Sequence, residues 1–393
     1  MPNIMDYLDW RGDLPLTVSP FNEVDNYLCS QMGMPDFSMI VPEGGQRVGL
    51  GDTLDRYAAL WGERGDNLGV LSSPYVLPLL RRASETVRFR DVTLSHFVNL
   101  CDDEQGEQFS AVCVHLPDGS TYVSYRGTDD TLAGWREDFM MCGLDEVPAQ
   151  KDALDYLLRV AGEIEGPLYL GGHSKGGNLA IYAGVLAPSE IQDRIVMIYN
   201  NDGPGFRNGV GDGEGLARIR ERMVTILPQH SIVGTILFPV GESVIVNSSK
   251  GPPESHDGFY WQVLGTGFLR CEELSLSSRA WDAALDRTLE GMDSESCRDF
   301  VDALFDALQS TGARTLTELR EQGIRQVLEV LRAGRKNPAL QSFISRVAEL
   351  TVKELAGGAV EDIMEKVPER RRPLFKKLGQ RDEGEGEEET EEN

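Results

Sequence analysis

Apolar and polar positions along the middle of the chain change period several times, and the changes divide it into elements. "PYVLPLLRRASE" reads as a helix, whereas "DVTLSHFVNLCDD", "QFSAVCVHL" and "STYVSYRG" read as three strands. "PDG" between the last two is a hairpin turn signal. A helical stretch from Pro148 to Gly162 follows, then the strand "PLYLGG", the helix "GGNLAIYAGVLA" and the strand "RIVMIYNND". Two further apolar runs, "VTILP" and "ESVIVNSS", come next. Strands alternating with helices after an antiparallel hairpin predict an α/β fold, with a mostly parallel sheet and helices on both faces.

The ends of the chain differ from this middle. Residues 1–60 are mixed, with turn residues breaking short apolar pieces, and are expected to wrap around the core. From about Leu276 the spacing is helical throughout. Trp281, Leu285, Leu289 and Met292 share one face, as do Phe300, Val301, Leu304, Phe305 and Leu308, and Leu340, Phe343, Ile344, Val347 and Leu350. Three regions follow: a sheet-bearing domain at 1–275, an all-helical region at 276–366, and a basic stretch with an acidic disordered tail at 367–393. No repeat of solenoid period is present.

Composition narrows the partners. A net charge of −26 argues against nucleic acid, because an acidic surface repels phosphate. Part of it lies in the tail "RDEGEGEEETEEN", which has no apolar surface to bury. The preceding "ERRRPLFKK" is taken as a solvated patch paired with that tail, ahead of a membrane or partner signal. "MPNIMDYLDWRGDLP" lacks the basic and apolar regions of a secretory signal, and no run approaches the roughly 18 apolar residues of a membrane span. The six scattered cysteines suit reduced thiols in the cytoplasm.

The candidate chemistry sits in "LYLGGHSKGGNLAIYAG". Gly172-His173-Ser174-Lys175-Gly176 fits G-x-S-x-G, in which a sharp strand-to-helix turn lifts a serine hydroxyl above the sheet. Side chains at the flanking positions would clash in that turn, hence glycine on both sides. An apolar strand before it and a helix after it supply the context that a chance match lacks. The backbone N–H of Lys175, at the helix N-terminus, would face a developing oxyanion. Upstream, in "SYRGTDDTLAGWREDF", Thr128 could add an N–H and a hydroxyl, while Arg126 and Asp138 are expected to form a buried ion pair holding the loop.

"YRGT", "GWREDF" and "GGHSKGG", in this order and spacing, resemble the class-three (fungal-type) lipase pattern within the α/β-hydrolases. The sequence is still more similar to a bacterial lipase-like (Mbeg-like) family. That family begins with a "NIMDYLDWRGDL…PFNEVDN" type of segment and carries "RGTDDTLAGWREDF", "GGHSKGGNLAIYA" and "NNDGPGF". The resemblance covers roughly residues 3–265. It implies an α/β-hydrolase fold, Ser174 as nucleophile and Thr128 as an oxyanion contact, and it implies no substrate. The helical C-terminal region lies outside it.

Five histidines compete for the role of base. His96 and His115 lie in upstream strands, and His173 is inside the elbow with its ring expected to point away from the serine hydroxyl. The α/β-hydrolase order is Ser…Asp/Glu…His, with the histidine after the last strand. His256 in "ESHDGFYW" has that place, and lipases likewise have a histidine followed by aromatics; His230 is the alternative. The acid departs from the lipase pattern. Lipases carry an aspartate in a stretch resembling "PQHSIVG", where this chain has His230-Ser231. Asp202 in "YNNDGPGF" is the replacement, ahead of Asp257, although it could instead only cap the Gly203-Pro204-Gly205 turn.

The expectation is therefore a cytoplasmic serine hydrolase acting on a small-molecule or lipid acyl ester or thioester, with no cofactor, metal, nucleic acid or membrane span. A partner protein could dock on the helical C-terminal region. The alternative is an inactive pseudo-hydrolase that uses the same pocket as a binding or scaffold protein.

Overall fold

The computed structural model describes residues 2–318 except 63–67, 69–71, 103–106, 212, 291–292, 310 and 316. The 340–350 helical face, the basic stretch and the acidic tail lie outside the described residues, as do the side chains of Leu289, Met292 and Phe300. In chain order the elements are α1 (Ile4–Arg11), α2 (Glu23–Gln31), β1 (Val48–Gly49), α3 (Leu50–Trp61), α4 (Val76–Ser84), β2 (Thr93–Asp102), β3 (Glu107–His115) and β4 (Thr121–Tyr125). Then come α5 (Leu132–Met140), α6 (Pro148–Glu163), β5 (Leu168–His173), α7 (Lys175–Leu186), α8 (Ser189–Gln192), β6 (Ile195–Asn201) and α9 (Glu214–Ile219). The last are β7 (Met223–Pro228), β8 (Glu242–Val246), β9 (Val263–Leu264), β10 (Gly267–Phe268), α10 (Leu276–Glu290) and α11 (Ser294–Gln309).

Strands β1 to β8 form one sheet in sequential order. The β1–β4 end is antiparallel, and β4 through β8 run parallel, each crossing over to its neighbour. Parallel strands need both faces covered, and both are. One face carries α6, α7 and α9 through Ala153, Tyr156, Leu157, Leu179, Ala183 and Ile219. The other carries α1 to α4 through Ile4, Tyr7, Leu28, Leu54 and Leu80. This is an α/β-hydrolase fold, in which the carboxyl ends of the parallel strands share one edge.

The N-terminal sixty residues therefore supply three of the four helices of one layer of the fold rather than wrap around it. Helix α2 shows why periodicity conceals this. Asp25, Asn26, Ser30 and Gln31 are buried in it, so its polar residues do not mark a wet face. Their partners are internal. Asp25 pairs with the equally buried Arg88, and Asn26 bonds to Asn201 at 2.8 Å and accepts from Tyr122 at 2.7 Å. Helix α5 was likewise not legible as a helix in "GWREDF".

The expected C-terminal helices α10 and α11 pack directly on the loops at the carboxyl edge. Val301 and Phe305 of α11 lie against Leu132 and Trp135 of α5, Arg136 bonds to Asp302 at 2.5 Å, and Leu132 N donates to Arg314 O. In α10, Trp281 Nε1 donates to Ile232 O at 3.0 Å, and Ser278 Oγ donates to Ser231 O.

Candidate active site

The turn from β5 into α7 holds Ser174 at φ +57°, ψ −132°, a conformation that side chains rarely adopt. Close packing enforces it. A Cβ on Gly172 would lie 2.4 Å from Tyr125 O, and one on Gly176 only 2.1 Å from the same oxygen. The half-buried serine thus sits at the carboxyl end of a central parallel strand, where open α/β sheets bind ligands.

His256 reaches the site from the short helical turn Glu254–His256. Its Nδ1 lies 2.7 Å from Oδ2 of the fully buried Asp202, just beyond the end of β6. A carboxylate can only accept, so Nδ1 carries the proton and Nε2 is left as a lone-pair acceptor. The loop is pinned from below: Trp261 Nε1 donates to Ser255 O at 2.8 Å, and Gly258 N donates to Tyr27 Oη at 2.9 Å. On the other side, Asp202 Oδ1 accepts from Ser231 Oγ at 2.6 Å and from Gly234 N at 3.2 Å. Burial raises the Asp202 pKa, and the His256, Ser231 and Gly234 contacts oppose that rise.

Ser174 is tied to this pair through its neighbours. Ser174 N donates to Asn201 O at 2.9 Å, which places the elbow against the residue before Asp202. His173 lies with its ring centroid 4.4 Å from that of His256, and its Nε2 donates to His256 O at 2.8 Å. The His173 ring thus lies against the His256 ring and its backbone. Among the described residues, no hydrogen bond links Ser174 Oγ to His256.

The upstream loop runs alongside the serine. A Cβ on Gly127 would come 2.6 Å from His173 O and 3.4 Å from Ser174 Cβ, which sets Thr128 beside the elbow. Lys175 N–H opens α7 and is among the first-turn donors without an intrahelical partner. The Thr128 hydroxyl donates to Asp138 Oδ2 in α5. The expected Arg126–Asp138 pair is not formed. Arg126 bonds instead to Asn99 at 2.8 Å and to Asp129 at 3.2 Å, because its guanidinium points towards β2 while Asp138 faces the elbow.

The remaining alternatives lie elsewhere. His230 offers its carbonyl to Ser255 and does not meet Asp202. Asp257 accepts from Phe259 N at 3.0 Å, which caps the next turn.

The sequence model of the Mbeg1-like family matches residues 83–306, more than half of the chain. The chain belongs to the Mbeg1-like family. In this Mbeg1-like chain the matched region runs from the end of α4 into α11, past the limit of the lipase resemblance near residue 265. No curated protein matches the sequence significantly. Among solved structures, it is similar to M37 lipase at 16% identity and a TM-score of 0.33. That match covers 42% of this chain and 64% of the lipase, so it spans less than two thirds of the lipase.

Four residues around Ser174, Asp202 and His256 make contacts that the sequence pattern does not assign. His173 holds His256, Ser231 holds Asp202, and Tyr27 holds the backbone after His256. The fourth is Glu137, buried beneath the elbow and met by Lys175 Nζ at 3.0 Å, Gln108 N at 3.2 Å and Ala149 N at 2.9 Å. Lys175 is itself a signal in hindsight: a lysine inside an otherwise small-residue elbow needs a buried anion, and "RED" in α5 supplies it. Among the described residues, no cluster of three or more metal-type ligands occurs, and no helix is long and apolar enough to cross a membrane.

Proposed function

We propose that this chain is a serine hydrolase of carboxylic ester or thioester bonds that works through an acyl-enzyme. The observation that carries the reading is the 2.7 Å contact between buried Asp202 and His256 Nδ1, with the strained Ser174 tied through its backbone N–H to Asn201, the residue before Asp202. With Nδ1–H held by Asp202, His256 Nε2 takes the Ser174 proton as the serine oxygen attacks the acyl carbon. The Lys175 and Thr128 backbone N–H groups face the oxyanion, and the Thr128 hydroxyl joins them when its proton is free to turn. The protonated imidazole then passes its proton to the departing alcohol or thiol. Water, activated by the same nitrogen, releases the acid.

A fluorophosphonate probe tests this, because only an activated serine is labelled. Labelling and p-nitrophenyl ester turnover are expected in the wild type, with both abolished in a folded Ser174→Ala variant. Undiminished turnover in that variant would end the mechanism.

The second reading is a pseudo-hydrolase that binds an acyl compound without turnover. It is favoured by the engagement of the Thr128 hydroxyl with Asp138 and by the missing Ser174–His256 bond. Apo enzymes commonly lack tight catalytic contacts, so the first reading stands ahead. An unlabelled wild type would reverse that order.

A further inference from the structure

Two adjacent carboxylates, Glu137 and Asp138, approach one buried ammonium group, and they fare differently. Lys175 Nζ is 1% exposed and lies 3.0 Å from Glu137 Oε2, with Gln108 O and Oε1 each at 2.8 Å. Glu137 thus takes the lysine together with two backbone N–H groups. Asp138 Oδ1 is left 3.9 Å from Nζ, and this buried oxygen has no hydrogen-bond partner among the described residues. The other oxygen of Asp138 receives only the Thr128 hydroxyl. An ionised carboxylate so short of donors is poorly solvated.

We propose that Asp138 is a positioning residue whose proton decides which way the Thr128 hydroxyl donates, so that the oxyanion hole is complete only when Asp138 is protonated. This rests on the hydrolase reading above. The hydroxyl has one proton. With Asp138 ionised, that proton points at Oδ2, and Thr128 Oγ1 turns only lone pairs to the substrate oxygen. With Asp138 protonated, Oδ2–H donates to Thr128 Oγ1, and the threonine proton turns towards the oxyanion. No proton is gained or lost in the turnover itself.

The groups around Asp138 pull its proton in both directions. Lys175 from α7 and the hydrogen bond from the Thr128 hydroxyl favour the anion. Glu137 on its own helix and Asp129 from the preceding loop oppose it, although Asp129 is itself paired with Arg126. From α11, Asp302 is taken by Arg136, and Cys142 beyond α5 is a thiol that burial pushes up to about 12. Burial is the largest influence on Asp138 and lifts it to about 6.

The test is the pH profile of kcat/KM for a p-nitrophenyl ester on the full chain. The wild type is expected to lose activity above about pH 6, towards a plateau about 10²–10³-fold lower, the usual loss for one oxyanion donor. Asp138→Asn, which puts an N–H where Oδ2 stands, should remove that alkaline limb and hold the higher level. Thr128→Ser should keep the limb, and Thr128→Val should abolish it at the lower level. The two threonine variants keep the test open if Asp138→Asn fails to fold. A limb that persists in Thr128→Val or in folded Asp138→Asn, or a wild type without one, would overturn the proposal while fluorophosphonate labelling stayed intact. Loss of wild-type labelling would instead sink the hydrolase reading, and this inference with it.

Discussion

His173 donates its Nε2–H to the main-chain oxygen of His256 at 2.8 Å, and the two rings lie 4.4 Å apart. The residue before the elbow serine therefore fixes the backbone of the histidine proposed to act on that serine. Burial and the neighbouring His256 ring make a protonated His173 unfavourable, and the hydrogen bond to His256 O opposes them only in part. A second proton on its ring would be buried and would face the His256 imidazole whenever that ring is charged.

Burial, with His256 adding to it, lowers the His173 pKa to about 3, whereas the unfolded chain takes up this proton near 6.5. Between those values the unfolded state binds more protons than the folded one, so stability falls as pH falls through this window. Between pH 7 and pH 4.5 the loss attributable to His173 is about 2–3 kcal/mol. His173→Gln keeps an N–H donor and cannot titrate, so its urea-unfolding free energy should fall less over that range. Parallel wild-type and variant curves would show that His173 does not set this dependence.

Asp202 and Asp257 are separated by their partners. Asp202 Oδ2 meets His256 Nδ1, while Asp257 accepts from Phe259 N. If Asp202 holds the imidazole tautomer, Asp202→Asn should lower kcat by about 10⁴ with little change in KM, because an amide permits the wrong tautomer. Asp257→Asn should be far milder and show itself mainly in stability. An inactive Asp257 variant beside an active Asp202 variant would move Asp202 back to a turn-capping role.

Much of this architecture is legible without coordinates, because its parallel strands are apolar runs bounded by turn residues. The strand-to-helix elbow and the hairpin of β3 and β4 follow from local rules that tertiary packing does not override. What escapes is polar and non-local. Helix α2 is buried with polar residues because Arg88, Tyr122 and Asn201 come to meet them from distant positions. Arg126 selects Asp129 over Asp138 by the direction of one side chain, which no spacing encodes. Lys175 was legible as a backbone donor, but its side chain, buried against Glu137, was not.

The same non-local packing brings the lipase-type acid position and Asp202 together. Ser231 stands where the lipase resemblance has its aspartate, and its hydroxyl reaches Asp202 Oδ1 at 2.6 Å. The two positions thus address one small volume beside His256, and a carboxylate is one atom longer than the serine hydroxyl. Ser231→Asp alone should be harmful, because two carboxylates in a buried site cannot both ionise without a large penalty. Asp202→Ser alone should behave as the amide variant does. The double variant, Asp202→Ser with Ser231→Asp, restores a single carboxylate from the neighbouring strand end. It should recover at least tenfold in kcat over Asp202→Ser, with kcat measured on the same p-nitrophenyl ester and folding checked by circular dichroism. A folded double variant no more active than Asp202→Ser would mean that position 231 cannot orient His256, and that the placement of the acid after β6 is specific to this fold.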